Sequence, residues 1–195
     1  MEIDVKAILY STITNMGKDR IESTIISDPS QIPSTIKELY SKCITSLTSQ
    51  TDYDKPKIHS DLIESLMHYL LTVTQIPSER KVKYNNDTEI CLVIPNLKQL
   101  KADTKRTLVI SFPKSLDADY INKHASKLLK VQPQKSNIWL VFGYYNDIIA
   151  DLCKGFTVFV QDDLQIPFKP ISCIIDEIKL FVETNKIKSF KIFRS

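Results

Sequence analysis

The chain has 195 residues, 43% hydrophobic and 25% charged, with a formal net charge of +3. That balance fits a globular domain with a real core and excludes both a disordered polyelectrolyte and a polycation that coats nucleic acid through overall charge. Any nucleic-acid contact must therefore come from a local patch.

Residues 1–55 read as a helical N-terminal extension. Ile3, Ala7 and Ile8 open an apolar stripe that loses coherence at Gly17, and Ile21, Thr24 and Ile25 carry a second segment to Asp28-Pro29. From Pro33-Ser34 onward, Ile36, Leu39, Tyr40, Cys43, Ile44 and Leu47 recur at helical spacing. Neither sign of charge dominates here, so the segment is expected to pack or dimerise, offering a surface to a protein partner or a second copy.

Residues 56–195 read as an α/β domain with a C-terminal helix. Ile58, Leu62, Leu66, Leu70 and Val73 follow a helical stripe that Pro77 closes. Arg80 to Tyr84 alternates, Asn85-Asn86-Asp87 signals a turn, and Ile90–Ile94 and Leu108–Ile110 are strand-length apolar runs. A helix is predicted from Asp117 to Lys130, a strand over Ile138–Phe142, a short helix over Asp147–Lys154 and a strand over Phe156–Val160. A final helix carries Ile174, Ile175, Ile178, Phe181 and Val182, and the alternating tail 187–193 is expected to add an edge strand. The first three strands, joined by short connections, should be antiparallel, and the last two, reached through helical crossovers, parallel. The expected fold is α/β, a mixed central sheet of about five strands flanked by helices.

The three glycines, Gly17, Gly143 and Gly155, cannot build a phosphate-cradling loop, which needs several clustered glycines. Cys43, Cys91, Cys153 and Cys173 are too scattered for a zinc or disulfide framework and read as reduced thiols of a cytoplasmic protein. No apolar run approaches the ~20 residues that span a bilayer, so no membrane contact is expected.

Two features carry chemistry. Arg80, Lys81, Lys83, Lys98, Lys101, Lys105, Arg106 and Lys114 face only Glu79, Asp87, Glu89 and Asp103 over the same stretch. Arg80, Lys81, Lys83, Lys101, Lys105 and Arg106 are the expected nucleic-acid-binding residues, since each neutralised phosphate releases counterions. The second feature is a set of acidic residues ahead of the second strand, Asp87 and Glu89, with Phe112-Pro113-Lys114 ending the third.

With that element order, these residues resemble the PD-(D/E)xK nuclease superfamily over about residues 56–163. The resemblance implies a magnesium-dependent phosphodiesterase site, with Asp87 or Glu89 as first carboxylate and Lys114 as the lysine. Glu64 on the preceding helix matches an acidic residue that some members place there. Phe112 stands at the second carboxylate position and offers no lone pair to a cation. Asp119, on the following helix, is the residue to which that carboxylate could have moved. The resemblance thus implies catalytic residues Asp87, Glu89 and Lys114, and metal ligands Glu64, Asp87 and Asp119 if Mg²⁺ binds. The expected function is a nuclease-like, DNA-binding domain with a degenerate metal site and weak or no activity. The alternatives are an active Mg²⁺-dependent endonuclease with a relocated carboxylate, and a protein-interaction subunit without nucleic-acid contact.

Overall fold

The computed structural model describes residues 3–48, 53–162, 164 and 167–187. Four helices come first: α1 (Val5–Met16), α2 (Lys18–Ser27), α3 (Ile32–Thr48) and α4 (Lys55–Val73). Side-chain caps start two of them. Asp4 accepts from the Lys6 and Ala7 amides, and Asp54 from the Lys57 amide, satisfying donors that a helix start leaves open. Gly17, at φ +87°, turns the chain between α1 and α2.

Strands β1 (Glu79–Asn85), β2 (Thr88–Ile94) and β3 (Leu108–Ser111) follow, with a short helix α5 (Leu97–Ala102) between the last two. After α6 (Ala118–Leu129) come β4 (Ile138–Val141), α7 (Ile148–Leu152), β5 (Thr157–Val160), β6 (Lys169–Pro170) and α8 (Ile174–Thr184). The strands lie in one sheet in the order β1-β2-β3-β4-β5-β6. The β1–β2 and β2–β3 pairs are antiparallel, and the remaining three pairs parallel. This is the expected mixed sheet, with β6 as a two-residue sixth strand. The short helix α5 escaped the sequence reading because six residues are too few to show a period. Its signal was Asn96, whose side chain caps it by accepting from the Gln99 amide.

Both faces of the sheet are covered, which is why β3 and β4 are buried along their whole length. One face, through Leu92, Ile110, Trp139 and Phe159, packs on α1–α4 and α8. The other, through Val93, Val109, Leu140 and Val158, packs on α6 and α7. The stripes of α1–α3 therefore join the same core as α4: Leu9, Ile13, Ile25, Ile36, Leu39 and Leu47 are all buried. At roughly 1.5–3 kcal/mol per large apolar side chain buried, these helices contribute substantially to holding α4 on the sheet. The edge strand expected over 187–193 lies, beyond Ile187, outside the described residues. All four cysteines are free, and among the described residues no helix is long and apolar enough to cross a membrane.

Candidate functional site at the carboxyl end of β3

Helical spacing places Asp61, Glu64, Ser65 and His68 on one face of α4. The exit of β3 is fastened to that helix: the Ser60 hydroxyl donates to the Phe112 carbonyl at 2.9 Å. Lys114, two residues on, then reaches back over α4. Its Nζ is 2.6 Å from Asp61 Oδ1 and 3.8 Å from Glu64 Oε2. Burial alone would lower the Lys114 pKa, but the hydrogen bond and charge of Asp61, reinforced by Glu64, outweigh it and leave it raised.

The third wall is β1. Lys81 adopts φ +50°, a left-handed conformation uncommon outside glycine. It breaks the alternation of the strand, so two consecutive side chains reach α4. Arg80 Nη2 donates to the His68 carbonyl and the Thr72 hydroxyl, each at 2.7 Å. Lys81 Nζ sits 3.8 Å from Glu64 Oε1. Across the hairpin, Cys91 and Leu92 both pack towards α4, whereas Ile90 and Val93 face the opposite core, so β2 is distorted at the same level.

These elements enclose a cavity of about 600 Å³ whose charged lining is Asp4, Lys6, Lys57, Asp61, Glu64, Lys81 and Lys114. His68 also lines it, and its buried Nε2 has no hydrogen-bond partner. Burial first, then Arg80, Lys81 and Lys6, push the His68 pKa down to about 4, so the ring is neutral at pH 7.

The expected site residues divide. Glu64, Lys81 and Lys114 meet at the cavity; Asp87, Glu89 and Asp119 do not line it. Asp87 is exposed in the β1–β2 turn, where its amide donates to Asn85 Oδ1 at 3.0 Å. Glu89 is exposed and pairs in register with Lys83. Asp119 is exposed in the first turn of α6. Among the described residues no ion pair joins Lys114 to Asp87 or Glu89; Asp61, one turn from Glu64 on α4, takes the ammonium instead. The β2 residue that shares the field of Glu64 and Lys114 is Cys91. Burial and then Glu64 raise its thiol pKa, opposed by hydrogen bonds from the Phe112 backbone and Ser111 and by the charge of Lys114. The Phe112 ring turns away into the core with Leu108 and Ile110.

Behind β3, Ser111 Oγ and His124 Nε2 are 2.6 Å apart, and His124 stacks on Tyr120 with ring centroids at 5.7 Å. Burial, then Lys127, lowers the His124 pKa. Tyr120 accepts from the Lys114 amide at 3.3 Å, so α6 steadies the same strand exit.

The basic residues also divide. Lys81 and Lys83 lie on β1, while Lys105 and Arg106 precede β3 at the end opposite Lys114. Arg106 donates three bonds to the Asn185 and Lys186 carbonyls that follow α8, and Lys101 Nζ lies 5.4 Å from the Tyr84 ring centroid. Arg80 and Arg106 thus direct their guanidinium groups at the protein's own carbonyls.

Hard oxygen ligands in octahedral array are what Mg²⁺ requires. Among the described residues no three His, Cys, Asp or Glu side chains converge as a metal-holding group. Each cavity carboxylate already has partners: Asp4 two amides, Asp61 Lys57 and Lys114, and Glu64 Lys81 and Lys114. A magnesium ion held here would have to displace those lysines and amides.

No known protein family and no curated protein matches the sequence. Solved structures do match the fold. The restriction endonuclease PspGI in complex with substrate DNA aligns with a TM-score of 0.64 at 14% identity, over 93% of this chain and 94% of that one. Metal-depleted Ecl18kI in complex with uncleaved, modified DNA aligns with a TM-score of 0.61 at 12% identity, over 98% of this chain and 83% of that one. Both alignments include the N-terminal helices, which the sequence resemblance had left out. The chain has the restriction endonuclease-like fold.

Proposed function

We propose that this protein is a nucleic-acid-binding domain of nuclease ancestry whose metal site is degenerate, with little or no cleavage activity. The observation that carries the reading is the ionic pairing of the cavity: Glu64 lies between Lys81 and Lys114, Asp61 is held by Lys114, and Cys91 stands beside them without a carboxylate. The matched endonuclease structures hold DNA, which supports a phosphate-bearing ligand for the shared fold. Restoring a metal site from Asp119 would require that side chain to leave the exposed surface of α6 for the cavity.

Binding of this kind is electrostatic and should weaken steeply as salt rises. The test is fluorescence anisotropy with labelled duplex and single-stranded DNA across a salt series, alongside incubation of the same DNAs with Mg²⁺ or Mn²⁺. We expect affinity to fall with salt, strands to stay intact, and Lys83, Lys101 and Lys105 changed together to Glu to weaken binding by about tenfold or more. Arg106 is kept in that variant because it holds the end of α8. Salt-independent binding, or none at low salt, would refute the nucleic-acid reading; metal-dependent cleavage would refute the degeneracy.

A further inference from the structure

We infer that the cavity between α1, α4 and β1 is a metal-independent phosphodiester site, in which the ammonium groups of Lys81 and Lys114 take the charge of the phosphate. The inference deepens the nucleic-acid reading above and names the site at which the backbone is held.

Three observations support it. The first is the layering of charge. The Glu64 side chain is only 9% exposed, whereas Lys81 is 61% and Lys114 43% exposed. An ion arriving from solvent therefore meets two ammonium groups before it meets the carboxylate beneath them. The second is the balance of the lining: four lysines against three carboxylates leave one positive charge in excess. An anion completes such a site and a divalent cation is repelled by it.

The third is how the lysines are held. Lys81 reaches the cavity only through its left-handed backbone, a conformation that costs on the order of 1 kcal/mol and persists where the surroundings fix it. Here Arg80 fixes it, by anchoring the preceding residue to two groups of α4. Asp61 holds Lys114, and the two oxygens of Glu64 each have one ammonium group at 3.8 Å, Lys81 on Oε1 and Lys114 on Oε2. Two ammonium groups over one carboxylate offer a phosphodiester a charge for each of its non-bridging oxygens, and they bind as point charges without needing ideal coordination. The neutral His68 ring lines the same wall and adds no charge to it.

The sign of one substitution separates this site from a metal site. Glu64→Gln removes a negative charge beneath the anion and keeps the side-chain shape. Pyrophosphate is the probe, titrated by calorimetry in EDTA, with Mn²⁺ binding followed separately by electron paramagnetic resonance. We expect wild-type protein to bind pyrophosphate in EDTA, Glu64→Gln to bind it roughly threefold tighter or more, and Lys81→Ala and Lys114→Ala each to bind it about tenfold weaker. We expect no Mn²⁺ binding that depends on Glu64. Mn²⁺ binding that Glu64→Gln abolishes would overturn the inference, as would the absence of pyrophosphate binding or binding indifferent to both lysines. Circular-dichroism melts of all three variants check that a loss is not unfolding. Pyrophosphate binding as expected, with no DNA binding at low salt, would refute the nucleic-acid reading while the anion site stands.

Discussion

Phe112→Glu, the substitution that would rebuild the second carboxylate of the nuclease motif, is expected to unfold or nearly unfold the protein without giving activity. The Phe112 ring is 2% exposed in the core that joins β3 to α4 and the N-terminal helices. Removing a buried phenyl group costs about 3–5 kcal/mol, and an unpaired carboxylate in its place adds a desolvation penalty. Native domains hold only about 5–15 kcal/mol in total. Urea denaturation followed by circular dichroism measures this directly. A variant within about 1 kcal/mol of wild type that also cleaves DNA with Mn²⁺ would show that position 112 faces the cavity after all.

Gly143→Val is expected to be the second severe lesion. Any side chain there would put its Cβ 2.8 Å from three atoms of His59, two of them backbone, so α4 itself would have to shift. The Gly143 φ lies outside the left-handed region, so the constraint is space and not conformation. The same carbonyl accepts from the Tyr40 hydroxyl at 3.0 Å, from His59 Nδ1 at 2.8 Å and from the Gln161 amide, tying α3, α4 and the ends of β4 and β5 together. Burial depresses the His59 pKa, partly offset by its bond to Gly143, with Lys55 depressing it further. Overpacking costs of this type run about 1–3 kcal/mol, with loss of the buried hydrogen bonds adding about 1 kcal/mol or more. Asp61 and Glu64 follow His59 within two turns of α4, so pyrophosphate binding should weaken with stability. Gly155→Ala is the control. There φ is +86° but the nearest atoms belong to the flexible Lys135 side chain, and the loss should be only about 1 kcal/mol. Thermal melts that place the two variants level would show that α4 can move away from β4 freely.

Most of the architecture was legible because the strands are buried on both faces and the helices on one. Ile90–Ile94, Leu108–Ile110 and Ile138–Phe142 are apolar runs that only a covered sheet accommodates, and connection lengths fixed which pairs are antiparallel. The site was legible in part. Glu64 and Lys114 came from the family resemblance and Lys81 from the basic excess, whereas nothing in a lysine announces a left-handed backbone, so the meeting of Lys81 with the other two at one cavity was hidden. Cys91 looked like core because it sits inside an apolar run. Asp61 was readable in principle, three residues before Glu64 and four after Lys57 on one helix face. Asp87 and Glu89 drew the motif towards the hairpin because sequence distance ahead of a strand says nothing about which level of it faces α4.

Whether lysines hold nucleic acid on this fold without a metal is read from the affinity for duplex DNA, measured from EDTA into millimolar Mg²⁺ at constant ionic strength. We expect binding in EDTA that stays level or weakens slightly as Mg²⁺ rises, because the ion competes for phosphates and gains no ligands from the protein. Affinity that appears only with Mg²⁺, and is lost in Glu64→Gln, would contradict it.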